Sequence, residues 1–79
     1  MKLLVRNLSR NMTEHQVRVL FSNHGSVAEC TLVLDQETGQ SKGFAFVEMP
    51  NADEAKKAIA SLNQTNVDQS KIRVKLAKN

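Results

Sequence analysis

The stretch Lys42-Gly43-Phe44-Ala45-Phe46-Val47-Glu48-Met49 decides how this chain is read. With a strand's period of two, alternate side chains point to opposite faces. Gly43, Ala45, Val47 and Met49 share one face and are small or apolar, as a packed core requires. Lys42, Phe44, Phe46 and Glu48 share the other, two rings between a cation and an anion. The charges argue against full burial, yet adjacent rings are costly to leave in water. Two readings stand open on the alternation alone. One is a strand buried on both faces, its charged ends reaching solvent. The other is a platform where rings stack on bases and cations hold phosphates.

Seventy-nine residues make one domain, 1–79, with room for a single modest core. An apolar fraction of 41% with 24% charged residues marks a globular chain. Eleven Lys/Arg against eight Asp/Glu give a net charge of +3, a mild bias toward an anionic partner. The lone cysteine, Cys30, forms no internal disulfide and builds no zinc site, which points to a reducing compartment. His15 and His24 have no partners at metal-ligand spacing, so neither metal nor cofactor is expected. The N-terminus offers one lysine and only three consecutive apolar residues, Leu3, Leu4 and Val5. That is far short of a signal sequence or membrane span, and a cytoplasmic protein is expected.

Working outward, Lys2 to Leu8 alternates as a strand, with Leu3 and Val5 apolar and Lys2, Leu4 and Arg6 mixed. Thr13-Glu14-His15-Gln16 reads as a capping box, with Met12 and Val17 at the positions of a hydrophobic staple. Val17, Leu20, Phe21 and His24 then mark one helix face, which Gly25 is expected to end in a left-handed conformation. Val27 to Leu34 is a second strand, Cys30 and Leu32 inward, Thr31 and Val33 outward. A polar connection, Asp35 to Ser41, joins it to the central stretch, which ends at Pro50. Asn51 caps a second helix whose stripe is Ala55, Ala58, Ile59 and Leu62. A polar loop, Gln64 to Ser70, has room for a small hairpin near Asn66-Val67. Lys71 to Ala77 closes the chain, with Ile72, Val74 and Leu76 inward and Lys71, Arg73 and Lys75 outward.

The order β-α-β-β-α-β, with one apolar stripe per helix, is the ferredoxin-like α+β plan. Right-handed crossovers give a four-stranded antiparallel sheet of order 4-1-3-2 with both helices on one face. Phe44 and Phe46 then lie near the middle of the uncovered face, and burial on both sides loses its footing.

These residues resemble the RNA recognition motif family. Lys42–Met49 matches that family's Lys/Arg-Gly-Phe/Tyr-Gly/Ala-Phe/Tyr-Val-x-Phe/Tyr octamer at six of seven defined positions, Met49 being the exception. Leu3-Leu4-Val5-Arg6-Asn7-Leu8 is similar to its second signature at four of five, with Leu4 in place of an aromatic. As a lone domain the chain looks most like the stand-alone RNA-binding proteins of bacteria. The resemblance implies stacking of bases or sugars on Phe44 and Phe46, an apolar contact from Leu4, and a phosphate on Lys42. It also marks Gln64 and Gln69 as standing where the family often has glycines. By strand parity Arg6, Arg73 and Lys75 lie on the same face and suit phosphates, with Lys2 and Lys71 weaker candidates.

The function expected is non-catalytic binding of single-stranded RNA by a monomer, with single-stranded DNA a second candidate ligand. The alternative is a protein-interaction domain using Leu4, Phe44 and Phe46, or the helices, as an apolar patch. A small enzyme on the same architecture, such as an acyl-phosphate hydrolase, lacks a nucleophile–base pair and a phosphate-cradling glycine loop here.

Overall fold

In the structure, a computed structural model describing residues 1–77, β3 (Ser41–Glu48) is the longest strand and its burial alternates. Gly43, Ala45 and Val47 are buried, Phe44, Phe46 and Glu48 half-buried, and Lys42 exposed. Around it stand β1 (Lys2–Arg6), α1 (Glu14–Ser22), β2 (Glu29–Leu34) and α2 (Ala52–Leu62). A short hairpin of β4 (Asn66–Val67) and β5 (Ser70–Lys71) precedes β6 (Arg73–Leu76). The main sheet has the order β2-β3-β1-β6 and is antiparallel throughout, which is the expected plan with β6 as its fourth strand.

The helix starts follow from their caps. The Thr13 hydroxyl accepts the Gln16 N–H at 3.1 Å, while Gln16 Oε1 accepts the Thr13 N–H at 2.9 Å. Asn51 Oδ1 accepts the Glu54 N–H at 3.0 Å at the start of α2. Each such cap contributes about 1 kcal/mol. Met12 and Val17 are both buried, as a staple demands. Val17 and Phe21 of α1, with Ala55, Ala58 and Leu62 of α2, join Leu3, Val5, Ala45, Val47 and Val74 in one core cluster. Burying Phe21 alone contributes about 1.5–3 kcal/mol. Both helices therefore cover the same side of the sheet, and the side carrying Phe44 and Phe46 is open.

Several expectations need correction; among them, the second strand starts at Glu29 rather than Val27, and Ser41 already belongs to β3. Gly25 does not end α1 in a left-handed turn: its φ of 159° is extended, and Asn23 is the C-cap. Space is what position 25 requires, since a Cβ there would lie 2.6 Å from the Glu54 Cβ. Glu54 Oε1 in turn accepts the Ser26 N–H at 3.1 Å. The first strand stops at Arg6, because Asn7 takes a φ of 59° and donates from Nδ2 to the Lys71 carbonyl at 2.7 Å. Lys71 belongs to the hairpin, so the closing strand starts at Arg73. Leu76 points to the helix side by parity but is 46% exposed, beyond the reach of the elements that cover Val74.

On each outer strand of the sheet a side chain takes one N–H. On β2 the Leu32 N–H donates to Glu14 Oε2 at 3.0 Å, and on β6 the Val74 N–H donates to Asn63 Oδ1 at 3.0 Å. The β2–β3 connection is tied by Asp35, whose Oδ1 accepts the N–H groups of Glu37 and Thr38 at 2.8 and 3.1 Å. These bonds, Thr38's first, hold the Asp35 carboxyl below the usual aspartate range, and the Lys42 charge acts in the same direction.

Gln64, Asp68 and Gln69 hold φ values of 64°, 51° and 67° around the hairpin. Asp tolerates this left-handed region and glutamine does so poorly. Gln64→Gly and Gln69→Gly are each expected to stabilise the fold by about 0.5–1 kcal/mol, a rise in Tm of about 2–8 °C. Thermal melts followed by circular dichroism check this, and an unchanged or lower Tm would show that neither glutamine is strained. Asp35 offers a pH test. A carboxyl lowered in the folded state stabilises the loop above its unfolded pKa and loses that contribution as pH falls through the folded value. Carbon-13 NMR should place the Asp35 midpoint below that of an aspartate in an unstructured peptide.

Candidate nucleic-acid interface

The strand register lays the open face out in rows. Thr31 of β2, Phe46 of β3, Leu4 of β1 and Lys75 of β6 stand opposite one another across the whole sheet. Phe46 and Leu4 are half-buried, Thr31 and Lys75 exposed. The Phe44 and Phe46 rings meet edge to face, centroids 6.3 Å apart at 84°. That geometry braces both rings by about 0.5–1.5 kcal/mol and leaves ring surface outward. Lys2 Nζ sits 4.9 Å from the Phe46 centroid, a cation–π contact at an exposed site.

Charge divides the face along the strands. Toward one end Glu48 stands opposite both Glu29 and Lys2, and Glu48 Oε2 lies 3.3 Å from the Met1 ammonium. At the other end a cleft is lined by Arg6, Arg10, Lys42 and Arg73 together with Phe44 and Gly43. Arg6 and Arg73 are register partners on neighbouring strands. Of the residues expected at the interface, the structure thus gathers Arg6, Lys42, Phe44 and Arg73 around the cleft, and Leu4, Phe46 and Lys75 in the adjoining row. Lys71 stands apart, in the hairpin.

Arg10 is the member that sequence reasoning missed. It lies in the loop before α1, and its Nη1 donates to the Ser41 carbonyl at 3.3 Å. Gly43 makes room for it: a Cβ there would fall 2.9 Å from Arg10 Nε and 3.2 Å from the Leu8 carbonyl oxygen. The Leu8 N–H donates to the Gly43 carbonyl at 2.8 Å, so loop and strand are laced together at this point. Gly43 also has a φ of 84°, which side-chain-bearing residues rarely adopt. The glycine of the octamer was therefore a visible signal of close approach, but nothing local names the residue that approaches.

Cys30 is outside this arrangement. Burial pushes its thiol above the usual range, with the charge of Glu14 adding and that of Arg18 opposing. It is a small buried side chain, as expected. Among the described residues no group of His, Cys, Asp and Glu has metal-binding geometry, and no helix is long and apolar enough to cross a membrane.

Residues 3–73 match the RNA recognition motif. The chain belongs to that family. Glycine-rich RNA-binding protein 1 of Mycosarcoma maydis is 41% identical over 76 residues, which are 96% of this chain and 43% of that protein. The chloroplastic RNA-binding protein CP31B of Arabidopsis thaliana is 40% identical over 76 residues, 96% of this chain and 26% of that protein. The chain thus spans less than half the length of these relatives. Among solved structures, the crystal structure of RNA-binding protein PG1 superposes with a TM-score of 0.96 at 34% identity, covering 100% of this chain and 95% of that one. An Sxl-lethal protein–RNA complex gives a TM-score of 0.94 at 31% identity, covering 99% and 47%.

The family assignment leaves the cost of the Gly43 seat to be measured. Gly43→Ala forces a Cβ into the left-handed region and against Arg10 and the Leu8 carbonyl. It is expected to destabilise the fold by about 1–3 kcal/mol. Urea unfolding checks the value; a change under a few tenths would mean that Arg10 simply swings away and the backbone relaxes.

Proposed function

We propose that this chain binds single-stranded RNA on the open face of its sheet, without catalysis. The observation that carries the reading is the pairing of two half-exposed rings with lysine and arginine cations that form no ion pair among the described residues. Phe44 and Phe46 stack on bases or sugars. Leu4, lacking a ring, offers a nonpolar contact beside Phe46. Lys42, Arg6, Arg73 and Lys75 hold phosphates. The relatives named for RNA binding and the superposable protein–RNA complex support the reading.

Stacking and phosphate holding leave different signatures in one titration. Each neutralised phosphate on a single strand contributes about −0.7 to the slope of log affinity against log salt. With about three to four phosphates held, the slope should be near −2 to −3. Lys42→Gln should make it shallower by about 0.7 and weaken every sequence alike. Phe46→Ala should weaken binding by about 5–150-fold at all salt concentrations and leave the slope unchanged, because a stacked ring releases no counterions. A flat salt response in the wild type would remove the phosphate roles and bring forward a protein partner on the same apolar face.

A further inference from the structure

The cleft beside Phe44 carries more positive charge than a single internal phosphate balances. Four cations line it, Arg6, Arg10, Lys42 and Arg73, and no carboxylate does. Arg6 and Arg73 face each other across neighbouring strands, an arrangement that costs stability when nothing neutralises it. Elsewhere on the face the fold intersperses charge, as where Lys2 and Glu48 are register partners. The cleft is also built rather than incidental: Gly43 leaves the space in which the Arg10 side chain lies, and Arg10 is fixed to the Ser41 carbonyl.

An internal phosphodiester brings one negative charge and two free oxygens. A phosphate monoester at a strand end brings about −1.5 to −2 charges and three acceptor oxygens. Three guanidinium forks and one ammonium match the second group better, since a guanidinium can grip two phosphate oxygens at once. Phe44, half-buried on the same cleft, gives the nucleoside attached to that phosphate a ring to stack on.

We infer that the cleft holds the terminal phosphate monoester of a bound RNA strand, with Phe44 against the end nucleotide. This rests on the RNA-binding reading above and refines it: on a strand with hydroxyl ends Arg6, Lys42 and Arg73 take internal phosphates, and on a strand with a terminal phosphate they converge on that one group with Arg10. A free nucleoside monophosphate carries the same group, so the test separates the two sources.

One short RNA is prepared with a 5′-phosphate, with a 3′-phosphate and with hydroxyls at both ends, and each form is titrated calorimetrically. One phosphorylated form should bind about tenfold or more tighter than the hydroxyl form. Arg10→Gln and Arg73→Gln should each remove most of that advantage and weaken the hydroxyl-ended RNA less. Arg10→Lys, which keeps the charge and loses the fork, should fall between and guards against a Gln variant that fails to fold. Uridine monophosphate as competitor should displace the phosphorylated RNA only in large excess. Displacement at concentrations near the RNA's own Kd would assign the cleft to free nucleotides and overturn the inference. Equal binding of all three RNAs would overturn it too, leaving RNA binding intact. Failure of every RNA to bind would overturn the RNA-binding reading itself.

Discussion

The pleat of β3 sends Ala45 and Val47 into the layer held by Val17, Phe21, Ala55 and Ala58, and so sends Phe44 and Phe46 the other way. The rest of the molecule depends on that division. Each helix has a single apolar stripe, both stripes are used on the same side, and among the described residues no element covers the rings. Their partial exposure is therefore set by core packing rather than by any contact of their own. A one-residue slip of β3 would exchange the two faces, placing Lys42 and Glu48 against the helices. The register is held from both sides, by Leu3 opposite Val47 and by Cys30 opposite the same residue.

Charge on the open face obeys a different logic from the core. The core is formed by apolar residues that satisfy one another. The Phe44 end, by contrast, juxtaposes Arg6 with Arg73 and seats Arg10 on Gly43. A chain under pressure for stability alone would place an acid between them. Among the residues lining the cleft, no carboxylate relieves this repulsion.

Much of this was legible because the signals are local. Strand parity assigned every residue from Lys42 to Met49 to its face, and the Thr13/Gln16 pair and the Asn51 cap located both helix starts. The failures share one cause: a sequence shows which way a residue points and what it permits, not what lies there. Leu76 has the right parity but no cover. Gly25 is required by the bulk of Glu54, almost thirty positions away in the chain, and not by helix termination. Arg10 was hidden for the same reason, since Gly43 announces a close approach without naming its occupant. Lys71 was drawn off the face because Asn66 to Lys71 pair among themselves before β6 begins.

The two side chains that finish the sheet have a bearing on behaviour in company. An outer strand with free N–H groups is a template on which a neighbouring molecule can add its own strand. Here Glu14, at the first turn of α1, occupies the Leu32 N–H, and Asn63, just past α2, occupies that of Val74. Each helix thus guards one margin of the sheet it packs on. At these two positions a strand added from outside would find the N–H already bonded, so pairing there would first have to displace Glu14 or Asn63.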